Sequence, residues 1–296
     1  MGMEQNEIIT DKFRNTVWNY YKKHGRHDMP WRHTKDPYSI MVSEVMLQQT
    51  QVKRVEKFYP KFLKAFPDFK SLARASLKKV LLAWQGMGYN RRVRALQKLA
   101  QEVLKKYDGR LPNNTEALVS LPGIGKATAG AIMAYAFNKP VPFIETNVRR
   151  VFIYHFFTYG HPDRAKRVEG SLDKLGMTVR KKVDDKEILG LVEKTLDYKN
   201  PSEWYWALMD YGTYLATQYE NPNRRSKLYK KQAKFEGSMR QVRGEIIKLL
   251  LTHPALATLE ITNKIKRDRG IVEKILVQLM SENFIFYKKG KYRLTN

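Results

Sequence analysis

The chain of 296 residues has no cysteine. That excludes disulfides, zinc–thiolate sites, thiolate-bound iron–sulfur clusters and a thiol nucleophile. Acid is scarce, with 29 Asp and Glu against 55 Lys and Arg, and the formal net charge is +26. So large a field repels itself in a compact fold and suits a polyanionic partner. Long apolar runs are missing too. None approaches the roughly 18 residues of a membrane-spanning helix. The start, Met1 to Asn6, is polar and lacks a secretory h-region. Membrane association is therefore not expected, and a cytoplasmic protein (nucleoid-associated if bacterial) is. Period-2 alternation is absent before residue 284, so a mainly α fold is expected.

What is there centres on Leu121-Pro122-Gly123-Ile124-Gly125-Lys126-Ala127-Thr128-Ala129-Gly130. Helix-like segments enter and leave it. Pro122 cannot continue a helix, and glycines permit a tight reversal. The N–H groups of Gly123 and Gly125 then precede a new helix N-terminus, a ready anion site beside Lys126. The same spacing also fits a plain helix–turn–helix reversal.

Upstream, residues 7–24 read as an amphipathic helix, and Gly25 to Pro37 as a loop holding Met29-Pro30-Trp31-Arg32. From Tyr38 a helix carries Ser43 to Gln51, including Gln48, Gln49 and Thr50. Glu44 is its lone carboxylate. Burial there would raise its pKa toward that of a general acid, whereas an exposed helix carboxylate is the blander fate. Two consecutive glutamines need partners if buried and could fill a gap in a base stack. Gly86-Met87-Gly88-Tyr89-Asn90-Arg91-Arg92 offers apolar wedges at Met87 and Tyr89 followed by the cations Arg91 and Arg92, a device for prying and holding DNA. Core packing after a helix end is the alternative.

Downstream, Glu145 sits near the N-terminus of a helix containing Asn147, where a negative charge is favoured. Further charged helices are expected over 163–197. A basic stretch runs from Asn223 to Lys234. From Arg240, three helical segments (about 241–252, 258–266 and 270–282) and two strands around a Lys-Gly turn suggest a winged helix.

In this order the motifs resemble those of the helix-hairpin-helix (HhH-GPD) DNA glycosylases, most closely the MutY-type adenine glycosylases. The likeness spans roughly 10–220. It rests on Met29 to Arg32, Asp36 to Tyr38, Ser43 to Gln51, Gly86 to Tyr89, Leu121 to Gly130 and Asn147 to Val151. The resemblance implies a two-lobed glycosylase domain over 1–236, with a six-helix lobe about 30–138 and a second lobe from 1–29 plus 139–236. A winged-helix-like domain would cover 237–296. It further implies that Glu44 protonates a flipped adenine, that Glu145 stabilises the positive sugar, and that Asn147 lies in the active site. Gln49, Met87 and Tyr89 would wedge into the duplex. With Arg32, Gln48, Thr50, Arg91, Arg92, Gly123, Gly125 and Lys126 they make the expected DNA-binding set.

Four departures qualify this. The family's aspartate is Glu145 here. Position 127 is Ala, where bifunctional relatives carry a lysine nucleophile. Ala216, Asn223, Ser226 and Gln232 stand where cluster cysteines are expected, so no Fe–S cluster is implied. The tail is too short for the usual domain that reads 8-oxoguanine. The expected protein is a monomeric, monofunctional glycosylase without cofactor, save a monovalent cation at the hairpin. Its partner would be duplex DNA with a mismatch or oxidised base, adenine opposite 8-oxoguanine or guanine. A thymine/uracil mismatch glycosylase and a catalytically impaired lesion-binding protein remain open.

Overall fold

The computed structural model describes residues 2–157 and 182–295. Expected helices over 163–181 lie outside the described residues. In chain order the helices are α1 Gly2–His24, α2 Pro37–Leu47, α3 Val52–Ala65, α4 Phe69–Arg74, α5 Leu77–Ala83, α6 Arg91–Tyr107, α7 Thr115–Ser120, α8 Lys126–Phe137, α9 Thr146–Phe152, α10 Asp185–Thr195, α11 Pro201–Gln218, α12 Met239–Thr252, α13 Thr258–Ile265 and α14 Arg269–Ser281. Two strands follow, β1 Ile285–Lys288 and β2 Lys291–Leu294. The described fold is thus helical with one small C-terminal sheet. By contacts the chain forms two units, Met1–Lys35 with Gly125–Lys231, and Asp36–Ile124 with Gln232–Asn296.

The second unit is built around α2. Asp36 caps it by accepting from Ser39 N at 2.9 Å, and Pro37 takes the first helical position. Its residues are buried nearly all round, including Tyr38, Ile40, Met41, Val42, Ser43, Val45 and Met46. The helix stops earlier than expected, at Leu47, and Gln48 to Gln51 form a turn before α3. Gln49 takes a left-handed φ of 53° there.

The tail of this unit matches the expected pattern closely. α12 to α14 bury Val242, Ile246, Ile261, Ile275 and Leu279 against Phe284 and Ile285. The strands pair antiparallel from Ile285↔Leu294 to Lys288↔Lys291. Lys289 and Gly290, both at positive φ, make the two-residue hairpin turn. A guanidinium from α12, Arg243, stacks 4.8 Å over Phe284 and pairs with Glu282.

In the first unit, α1 packs on α11 and α9 crosses α11. Phe13 and Trp204 meet edge to face at 6.0 Å, and Phe13 lies 5.1 Å from Phe152. The α9–α11 crossing is very tight. A Cβ on Gly212 would lie 2.6 Å from the Asn147 carbonyl oxygen, so only glycine fits. At the other end of α11 the Tyr205 hydroxyl takes the Phe143 N–H and donates to Val141 O, fixing the connector before α9.

Candidate active site

In the first unit, Glu145 is the N-cap of α9. Its Oε1 accepts from Asn147 N at 2.5 Å and Val148 N at 3.0 Å. Burial pushes this carboxyl above its ordinary pKa. The two N–H bonds, and behind them Arg150 and Arg149, act the other way without cancelling it. The Asn147 side chain is engaged within the fold, its Oδ1 accepting from Arg150 Nη1 at 2.5 Å. Arg150 in turn donates to Gly212 O at 2.7 Å. Arg149 makes a forked pair with Asp185 at 2.8 and 2.6 Å. The expected acid and asparagine therefore share one helix start, held by cations that belong to the fold.

Arg32, expected at DNA, is instead part of this scaffold. Its side chain is 5% exposed and forks onto Asp210, itself 1% exposed, at 2.8 Å through both terminal nitrogens. Arg26 adds its backbone N–H at 2.8 Å and its guanidinium. The guanidinium of Arg32 also lies 5.4 Å from the Trp206 ring.

In the second unit, Glu44 is half-buried on α2 between the buried Ser43 and Val45. The end of α2 is organised by Arg92. Its Nη1 donates to Val45 O and Met46 O, each at 2.9 Å, and to Gln48 O. Its Nη2 reaches Thr50 Oγ1 at 2.9 Å and the carbonyls of Met87 and Gly88. Arg92 thus caps α2 and ties two turns together, which a DNA-facing cation would not do. Burial lowers its pKa to about 10. Met87 is 1% exposed, so the expected wedge is core. Arg91 is exposed but bound to Glu282 by two bonds, Nε at 2.9 Å and Nη2 at 2.5 Å.

What remains outward in that unit is a small group. Gln49 is exposed, and Tyr89 is half-buried at φ 48°. Two residues outside the expected DNA-binding set meet them. Gln232 Nε2 donates to the Tyr89 hydroxyl and lies 3.4 Å from Gln49 Oε1. Arg240 Nη1 donates to the same hydroxyl at 2.6 Å. No local spacing signals these partners, because they come from the far end of the chain.

The hairpin keeps its expected form. α7 ends at Ser120, Ile124 N donates to Leu121 O at 3.2 Å, and Gly125 is the N-cap of α8. The two glycines differ in kind. Gly123 has φ +81° and a Cβ there would meet Ala95 Cβ at 2.8 Å, so the fold itself requires glycine. Gly125 has an ordinary φ of −93° and nothing within 4 Å of a built Cβ. Its bareness serves no contact inside the protein and leaves room for an approaching ligand. Lys126, the first residue of α8, is exposed, and Ala127 is half-buried behind it.

Residues 42–176 match the family model of the HhH-GPD superfamily base excision DNA repair proteins. An adenine DNA glycosylase of Mycobacterium tuberculosis is 30% identical over 281 residues, covering 85% of this chain and 84% of its own. This chain belongs to the HhH-GPD superfamily. An adenine DNA glycosylase of Buchnera aphidicola is 42% identical over 149 residues, half of this chain and 42% of that one. The chain spans about half the length of the Buchnera relatives it matches. Among solved structures, a thermostable thymine-DNA glycosylase superposes with a TM-score of 0.59 at 25% identity, over 75% of this chain and 94% of its own.

Within this HhH-GPD chain, the region of the expected cluster loop is held by ordinary hydrogen bonds. Asn223, 5% exposed, donates from Nδ2 to Thr146 O at 3.0 Å. Val183 N donates to Arg225 O at 2.8 Å and Lys227 N to Val183 O at 3.0 Å. The side chains at 216, 223, 226 and 232 are Ala, Asn, Ser and Gln, a donor set without a thiolate that does not fit an iron–sulfur cluster. Among the described residues no helix is long and apolar enough to cross a membrane.

Proposed function

We propose that this chain is a monofunctional DNA N-glycosylase that removes adenine mispaired with 8-oxoguanine or guanine. The observation that carries the reading is the 281-residue match to an adenine DNA glycosylase, reaching over most of both chains. The chemistry of the two carboxyl groups supports it. Adenine is a poor leaving group as an anion, so an acid must protonate it as the bond breaks. Glu44, in the apolar wall of α2, takes that role. The departing bond leaves an oxocarbenium-like sugar, which a fixed carboxylate stabilises. Glu145 supplies it, oriented by the N–H groups of Asn147 and Val148. This is the two-carboxyl scheme of glycoside hydrolysis applied to a nucleoside. Unstacking the target base costs a few kcal/mol, least where pairing is already weak.

Ala127 offers no amine for a Schiff base, so the product is an abasic site in an intact strand. The bare N–H groups at Gly123 and Gly125 and the Lys126 cation hold a backbone phosphate, with a monovalent cation at the hairpin carbonyls and no iron–sulfur cluster. The protein acts as a monomer on duplex DNA in the cytoplasm. A second reading, removal of thymine or uracil opposite guanine, is favoured by the likeness to the thermostable thymine-DNA glycosylase.

The test is a labelled duplex carrying A·8-oxoguanine, incubated and then treated with alkali, in parallel with A·G, T·G and U·G duplexes. Alkali-dependent cutting of the adenine strand, abolished by Glu44→Gln, is expected. Cutting confined to T·G and U·G selects the second reading. Tight binding without cutting on any duplex removes the enzymatic assignment, and cutting without alkali removes the monofunctional one.

A further inference from the structure

Beside α9 in the first unit, the stretch from Asn221 to Lys230 walls an open cleft of about 500 Å³. Thr146, Arg149, Asn223, Ser226, Tyr229 and Lys230 are among the residues that line it, and among the described residues no acid does. Arg149 binds Asp185 through Nε and Nη2 and keeps Nη1. Lys230 is exposed. Ser226, 2% exposed, accepts from Leu228 N at 3.1 Å and has its own O–H to donate. The base-removal chemistry uses none of these groups.

Asn223 decides what the cleft takes. It is 5% exposed, and its Nδ2 donates to Thr146 O at 3.0 Å. Its Oδ1 is buried with no hydrogen-bond partner among the described residues. Exchanging the two ends of the amide would set oxygen against the Thr146 carbonyl, so the bond fixes which end is which. Among the described residues it is the one side-chain oxygen in that state; the other such atoms are all nitrogens. A buried acceptor without a donor is costly, and the polar space that Asn223 adjoins is the cleft. A cationic wall asks for an oxyanion, while the amide oxygen asks for a donor on the same molecule.

We propose that this cleft binds hydrogen phosphate, its P–OH donated to Asn223 Oδ1 and its charged oxygens held by Arg149, Lys230 and the Ser226 hydroxyl. Sulfate has the same shape but no proton at neutral pH. A DNA phosphodiester has none either, so the duplex backbone is not the ligand this acceptor selects. A phosphate monoester carries a P–OH only as its monoanion, below a second pKa of roughly 6. Hydrogen phosphate keeps one through the neutral range. Bound there, it bridges α9 to the 221–230 stretch and fastens a region that has no cluster ligands to hold it. The site stands whether or not the chain releases adenine.

The experiment measures calorimetric binding of inorganic phosphate and of sulfate to the full-length protein at neutral pH and equal ionic strength. Phosphate is expected to bind roughly tenfold tighter, the worth of one hydrogen bond to a charged group. It should also raise the melting temperature, and slow amide exchange over 221–231, more than sulfate does. The hairpin amides and the surface lysines only donate, so they take both anions alike and do not produce this ratio. Equal affinities, or no binding of either anion, overturn the proposal. Asn223→Ala should bring phosphate down to the level of sulfate, and a preference that survives in the folded variant overturns it. Lys230→Ala, at an exposed site, keeps the test open where Asn223→Ala fails to fold. Both anions should then weaken together with their ratio preserved, and unchanged binding overturns the proposal. Methyl phosphate, a monoester with no other donor, tests the second source of the same group. It should bind at about pH 5.5 and be largely lost at about pH 7.5, and equal binding at both overturns the part given to the P–OH.

Discussion

Replacing Asp210 by Asn separates a fold role for Arg32 from a DNA role. Asp210 is 1% exposed and accepts from Arg32 Nη1 and Nη2 and from Arg26 N, Nε and Nη2. Asn keeps the shape and removes the charge, which leaves the Arg32 guanidinium, 5% exposed, without its counterion. Breaking a buried pair from one side costs about 3–5 kcal/mol. Arg26 adds little to that figure, because its side chain is 35% exposed and screened by water. Against a typical stability of about 5–15 kcal/mol the loss is large. Urea unfolding at pH 7 reads it directly.

The pH dependence gives a second check. Burial alone would push the Asp210 carboxyl up, but the bonds from Arg32 and Arg26 overcome it and hold it below its ordinary value. A depressed carboxyl contributes stability above its unfolded value, near 3.9, and loses it as pH falls through the folded value. The gap between wild type and Asp210→Asn should therefore be flat through neutral pH and close only below about pH 4. A loss under about 1 kcal/mol at pH 7, or a gap that persists in acid, would refute the argument. Arg32→Gln supplies the DNA side. A phosphate contact would lower the salt slope of binding by about 0.9, and no such change is expected from the folded variant.

Three further outcomes follow from the same geometry. Gly125→Ala should leave the melting temperature unchanged or slightly raised and weaken DNA binding, whereas Gly123→Ala should cost more than about 1 kcal/mol in urea unfolding, because φ is +81° and Ala95 is in the way. Glu145→Gln should abolish adenine release while keeping or raising stability at pH 7, since burial disfavours the ionised carboxyl and the neutral amide avoids that cost; Glu145→Asp, also a good N-cap, should retain activity in the alkali assay. Arg92→Met should lower stability by about 3 kcal/mol or more in thermal or urea unfolding, because the carbonyls of Val45, Met46 and Gln48 lose their donor together.

Much of this molecule is legible in local sequence. The hairpin, the N-cap at Glu145 and the whole tail pattern from α12 to β2 depend on neighbours a few residues apart, and propensity reports such things well. The misplaced residues are cations and one methionine. Arg32 meets its acid 178 residues away, and Arg92 reaches back more than 40 residues to cap α2. Nothing in the spacing of a basic run says which guanidinium faces water and which is buried on a carbonyl. The end of α2 at Leu47 was equally hidden. No glycine or proline marks it, because the terminating group comes from another helix. In the same way Gln49, read as helical, could not be seen to stand at a left-handed turn without the donor that holds the turn.

The close crossing at Gly212 bears on how this chain accommodates Glu145, one methylene longer than the aspartate that the family resemblance leads one to expect there. With the α9 backbone pressed against α11, the helix has no play to retreat by the length of one carbon. Adjustment must come from the side chain, and it curls back onto the amides of its own first turn. The separation of the two helices acts as a fixed gauge, and the acid is trimmed to it by folding rather than by being shorter. A larger residue at 212 would reset that gauge, so its first effect would be on the reach of a carboxylate two residues before the point of contact.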